Sequence, residues 1–72
     1  MNKAEQRALF KIGFKASVDR VDPCRLVSTR SDSWPMVRRG YNAAQEYKAM
    51  RYPTMTREQL LERMDYELSR IV

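Results

Sequence analysis

The sequence predicts an all-α fold, a small bundle of three longer helices plus one short helix. Apolar residues recur at helical spacing in three stretches, and helix-start signals precede the later elements. Pro35 would also interrupt the strand that competes with helix in the middle of the chain. Seventy-two residues suffice for one domain with a modest core. The hydrophobic share of 43% against 32% charged residues suits a folded domain rather than a basic tail.

The first helix is expected over residues 2–20, which are rich in Ala, Lys, Arg, Gln and Glu. At 100° per residue, Ala4, Ala8, Leu9, Ile12 and Ala16 share a face and read as the core stripe. Lys3, Arg7, Lys11 and Lys15 recur every four residues as a basic ridge, with Phe10 and Phe14 beside it. These rings are either core, with basic stems passing them into water, or an exposed apolar patch with a charged rim. Gly13 costs about 1 kcal/mol in a helix interior relative to Ala, which points to a kink or a close helix contact.

Asp22-Pro23 is a helix start, since Asp caps free N–H groups and Pro fits the first turn. A short helix over 23–29 would follow, burying Leu26 and either Cys24 or Val27. The competing reading is a β-hairpin with arms 25–29 and 34–38 around residues 30–33. Ser33 as cap and Pro35 in the first turn open the next helix, over 34–52. There Met36, Gly40, Ala43, Tyr47 and Met50 share a seam, and Pro53 ends the run. Thr56 and Gln59 form a capping box for the last helix, whose buried face is Leu60, Leu61, Met64, Leu68 and Ile71. Arg63 and Glu67 stand at the spacing of an i,i+4 ion pair.

The charge is lopsided. Residues 1–40 hold nine Lys/Arg against four acids, while residues 41–72 hold five of each, so the whole net charge of +5 lies in the first forty residues. Such a field favours an anionic partner. Catalysis is not expected: there is no His for acid–base work, and Glu58, Glu62 and Asp65 on one face read as a solvated surface. Gly13 and Gly40 are too far apart for a phosphate-binding loop. The lone Cys24 lacks an activating base and a disulfide partner, and neither a metal nor a cofactor is expected. With no apolar run of signal-peptide or membrane-span length, the chain reads as intracellular.

Two surfaces are candidates for contact. Arg25, Arg30, Trp34, Arg38 and Arg39 cluster around one turn and contain the only Trp, and Trp and Arg are the residue types enriched at interface hot spots. Trp34 also suits the bland role of anchoring a loop. Alternatively, helix 22–29, turn 30–33 and helix 34–52 have the outline of a helix-turn-helix DNA reader. Residues 34–48 would then be the recognition helix, with Arg38, Arg39, Asn42 and Gln45 at bases and Lys11 and Lys15 at phosphates. A basic helix lying on an anionic membrane needs a clean apolar face, which Phe10 and Phe14 beside the ridge do not provide.

In size, charge, helical scaffold and Arg-rich turns, the chain resembles the small phage-encoded proteins that bind and inhibit or redirect host RNA polymerase. The resemblance is one of kind and rests on no shared motif. It implies a cytoplasmic, non-enzymatic regulator in an infected bacterial host, occupying an acidic protein surface, nucleic acid, or both. Where some such proteins are acidic DNA mimics, this chain has the opposite sign.

Overall fold

The computed structural model describes residues 2–49 and 55–71. Three α-helices, α1 (Lys3–Val18), α2 (Trp34–Lys48) and α3 (Arg57–Ser69), pack around one core, with a 3-10 turn at Pro23–Arg25 between the first two. The described residues contain no strand, so the hairpin reading of 25–29 and 34–38 gives way to turns and the start of α2. No helix among them is long and apolar enough to cross a membrane.

Helix α1 starts because Asn2 is extended and its side-chain oxygen accepts the Glu5 N–H at 2.8 Å. Its buried face differs from the expected stripe. Phe10, Gly13, Phe14, Ala16 and Ser17 are buried, whereas Ala4 and Ala8 are exposed, Leu9 is half-buried and Ile12 is 37% exposed. Alanines contribute little to the choice of face, since the two aromatic rings bring far more apolar area. Phe10 and Phe14 are thus core, and their ring centroids lie 6.1 Å apart.

Gly13 proves to be a close helix contact. A Cβ placed on it would collide with the Val37 carbonyl and stand 2.9 Å from the Tyr41 nitrogen. The relation is reciprocal, because a Cβ on Gly40 would collide with the Phe10 carbonyl and lie 3.0 Å from its Cα. The two glycines let α1 and α2 approach backbone to backbone, and these two helices share the most extensive contact in the fold. Val37, Gly40 and Ala44 are the buried residues of α2, while Met36, Ala43 and Tyr47 of the expected seam pack against the core from its edge.

Several boundaries are shorter than expected. The helix expected over 23–29 closes after Pro23–Arg25: Asp22 accepts the Cys24 N–H at 2.9 Å as foreseen, but Leu26 is 54% exposed and Cys24 is exposed. Val27 is only half-buried, so little apolar burial offsets the entropy of extending the turn. Ser33 stands at the N-cap of α2 in helical backbone geometry and makes no side-chain cap bond; its own N–H donates to Ser31 Oγ at 3.1 Å. Helix α2 ends at Lys48, and Met50 and Pro53, expected as its last seam residue and its stop, lie outside the described residues.

Helix α3 follows the sequence closely. Thr56 accepts the Gln59 N–H at 3.2 Å and Gln59 returns a bond to the Thr56 N–H at 3.0 Å. Leu60, Met64 and Ile71 are buried, with Leu61 and Leu68 packed beside them. Glu67 turns to Tyr47, whose hydroxyl donates to it at 2.6 Å, rather than pairing with Arg63.

Candidate anionic-partner surface

The end of α1 sets the geometry of the basic surface. Arg20 has φ 58°, the left-handed conformation usually left to glycine. Its N–H reaches the Ser17 carbonyl at 3.2 Å, and the Val21 N–H reaches the Ala16 carbonyl at 2.8 Å. This is a Schellman stop with arginine in the glycine's place. The chain therefore turns sharply at Arg20 and runs back past α2 into Asp22 and Pro23.

Between that return and α2 lies a cavity of about 580 Å³. Arg20, Asp22 and Cys24 line one side, and Trp34, Arg38, Tyr41, Asn42 and Lys48 line the other. A second groove of about 520 Å³ lies on the other flank of α2, lined by Phe10, Trp34, Pro35, Arg38, Arg39, Asn42, Glu46 and Glu67 among others. Trp34, Arg38 and Asn42 belong to both and form the wall between them. Trp34 is half-buried, while Arg38, Arg39 and Asn42 are exposed.

Of the candidate residues, the structure thus brings together Trp34, Arg38, Arg39 and Asn42. Arg25 and Arg30 are exposed on the 3-10 turn and the loop after it, and line neither groove. Lys11 and Lys15 are exposed on α1 and also line neither. Gln45 is exposed, but both ends of its amide are engaged by the fold: its Oε1 accepts the hydroxyl of buried Ser17 at 3.0 Å, and its Nε2 donates to Tyr41 Oη at 3.3 Å. A base reader needs both ends of its amide free.

Arg20 and Lys48 were absent from the expected set. A sequence gives no sign that an arginine will occupy a left-handed position, since glycine is the usual marker there. Lys48 is the basic residue in the last turn of α2, which ends earlier than the expected 34–52. Its Nζ donates to the Ser17 carbonyl at 2.7 Å, satisfying the end of α1 and countering the negative pole of that helix.

The local electrostatics are those of a cationic cleft. Hydrogen bonds from the Cys24 N–H and then from the Cys24 thiol, with a smaller contribution from the Arg25 charge, hold the Asp22 carboxyl below the usual carboxylate range. The Cys24 thiol is pushed above its ordinary range by desolvation and by the adjoining Asp22 carboxylate, so it is a poor nucleophile. Among the described residues, neither the Arg20 nor the Arg38 guanidinium has a carboxylate partner; the ion pair is Arg57–Asp19, at 3.1 Å. No group of three or more metal-ligating side chains occurs among them.

Compared with family models, curated proteins and solved structures, the chain matches none of them.

Proposed function

We propose that this chain is a non-enzymatic binding protein whose basic, aromatic α2 wall engages an acidic protein surface, bacterial RNA polymerase foremost, and thereby alters transcription in the cytoplasm of an infected host. The observation that carries the reading is the juxtaposition of half-buried Trp34 with exposed Arg38 and Arg39 on a helix flanked by two grooves. An indole held by its surroundings presents apolar area at little entropic cost, and guanidinium groups beside it bind carboxylates in pairs. Arg25 and Arg30 extend the positive field and speed encounter without packing into the contact.

The duplex-DNA reading keeps one observation in its favour, the exposure of Arg38, Arg39 and Asn42 on one helix. Against it stand the commitment of Gln45 to Ser17 and Tyr41 and the reduction of the preceding helix to a single 3-10 turn. The test is affinity capture on the tagged full chain from bacterial lysate, with and without nuclease. Polymerase subunits retained after nuclease, and lost with Trp34→Ala or Arg39→Gln, are the expected result. Capture of no polymerase subunit would overturn the polymerase reading, and capture that vanishes with nuclease would replace it with nucleic-acid binding.

A further inference from the structure

The cavity between the α1 stop and α2 has a chemistry of its own, although it shares Trp34 and Arg38 with the partner surface above. The Arg20 and Arg38 guanidiniums, which have no carboxylate partner among the described residues, and the Lys48 ammonium line it together with the indole of Trp34 and the phenol of Tyr41. The single carboxylate in the lining, Asp22, is already bonded to the Cys24 N–H. The carboxyl end of α1 is unfavourable to an anion, but its Ala16 and Ser17 carbonyls accept from Val21, Arg20 and Lys48. The cavity therefore stays net cationic after its own anions and helix pole are counted. A left-handed non-glycine residue, costing on the order of 1–2 kcal/mol, stands at its rim, and such strain concentrates at ligand sites.

We infer that this cavity binds a nucleoside 5′-phosphate, its phosphates between Arg20 and Arg38 and its base against Trp34. Guanidiniums match phosphate oxygens in paired hydrogen bonds, and an indole or phenol face stacks on any base. The volume of about 580 Å³ suits a ligand of this size, within the usual range of roughly 300–1,000 Å³ for small-molecule pockets. Lys48, tethered to Ser17, contributes charge rather than a direct bond.

The only Trp gives a single indole N–H resonance, which reports the site in the intact chain. Titration with ADP should shift it saturably with Kd below about 1 mM. Adenosine, lacking phosphate, and inorganic phosphate, lacking a base, should each bind at least tenfold more weakly. Arg38→Gln and Arg20→Gln should each raise the ADP Kd tenfold or more with unchanged circular dichroism, and ADP should slow alkylation of Cys24. Arg39→Gln and Arg30→Gln, outside the cavity, should leave ADP binding unchanged, so that loss of partner capture and loss of nucleotide binding are separable. A 5′-phosphorylated trinucleotide binding tenfold tighter than ADP would identify the ligand as a nucleic-acid end; otherwise it is a free nucleotide. A Kd above about 1 mM, equal binding of adenosine or phosphate, or insensitivity to both arginine variants would overturn the assignment.

Discussion

Where α1 meets α2 the contact is made by backbone, and where the pair meets α3 it is made by side chains. At the first junction Gly13 and Gly40 each occupy space into which no Cβ fits. At the second, Leu60, Met64 and Ile71 pack on Phe10 and Phe14, and polar ties span the seam: Tyr47 to Glu67, Arg7 to the Ile71 carbonyl at 2.7 Å, and Arg57 to Asp19. A backbone junction has no rotamers to adjust, so it fixes the spacing and angle of α1 and α2 closely. A side-chain junction can repack. Both grooves of the basic surface flank α2, and the cavity borders the stop of α1, so the rigid junction is the one that positions the site.

The largest effect should come from breaking the rigid junction. Gly13→Val puts a branched side chain where the Val37 carbonyl already stands. Overpacking typically costs about 1–3 kcal/mol and more where backbone must move, against a total stability on the order of 4–10 kcal/mol for a chain of this size. The helix propensity gained by removing glycine, about 1 kcal/mol at most, does not offset it. The expected outcome is loss of the cooperative thermal transition in circular dichroism; a normal transition would mean that the helices are not in backbone contact.

Met64→Ala tests the other junction. It should cost about 2–4 kcal/mol by leaving a cavity beside Phe14, yet leave a folded protein at low temperature, because α3 can settle. A chemical-denaturation midpoint that falls while binding through α2 persists is the expected pattern. Equal damage to binding would show that the site depends on α3 as much as on the glycine pair.

These junctions were unequally legible in the sequence. The α3 start could be read because a capping box is local: Thr56 and Gln59 bond within one turn. Its buried face could be read because Leu60, Met64 and Ile71 are large and regularly spaced. The face of α1 was misread because the alanines and Ile12 fit the helical period as well as the phenylalanines do, and period alone does not weigh residue size. Gly13 gave a signal, a helix-interior glycine in want of a reason, but its partner Gly40 lies 27 positions away and only the fold pairs them. Of the site, the Trp34–Arg39 segment was legible from composition, whereas the arrival of Arg20 at the cavity that Arg38 also lines depends on where α1 stops.

A smaller effect tests a polar tie across the side-chain junction. Desolvation, and then the hydrogen bond and charge of Glu67, push the Tyr47 hydroxyl up to about 12. The folded state thus holds the proton more tightly than the unfolded chain. The resulting stability is fully present below the ordinary tyrosine value near 10 and is lost as pH rises through about 12. Tyr47→Phe should cost about 1 kcal/mol at neutral pH and lessen the alkaline decline between those values, measured as the difference in denaturation free energy from the parent. An alkaline limb unchanged by the substitution would show that the hydroxyl is not bonded to Glu67 in solution.

The smallest expected change is a gain. Arg20→Gly removes the left-handed penalty of about 1–2 kcal/mol but returns about 0.4–1 kcal/mol of backbone entropy to the unfolded chain. The net is a stabilisation of about 0.5 kcal/mol, readable as a small rise in thermal midpoint. Arg20→Gln keeps the backbone strain and removes only the charge, so its midpoint should stay near that of the parent. The pair of variants separates two reasons for an arginine at this position. If glycine stabilises the fold while both variants lose the nucleotide, the strain is sustained by what the guanidinium does at the cavity rather than by the turn. If glycine leaves the midpoint unchanged or lowers it, contacts of the Arg20 side chain with the α1–α2 pair compensate the strain locally. The rim would then belong to the rigid junction and not to the site.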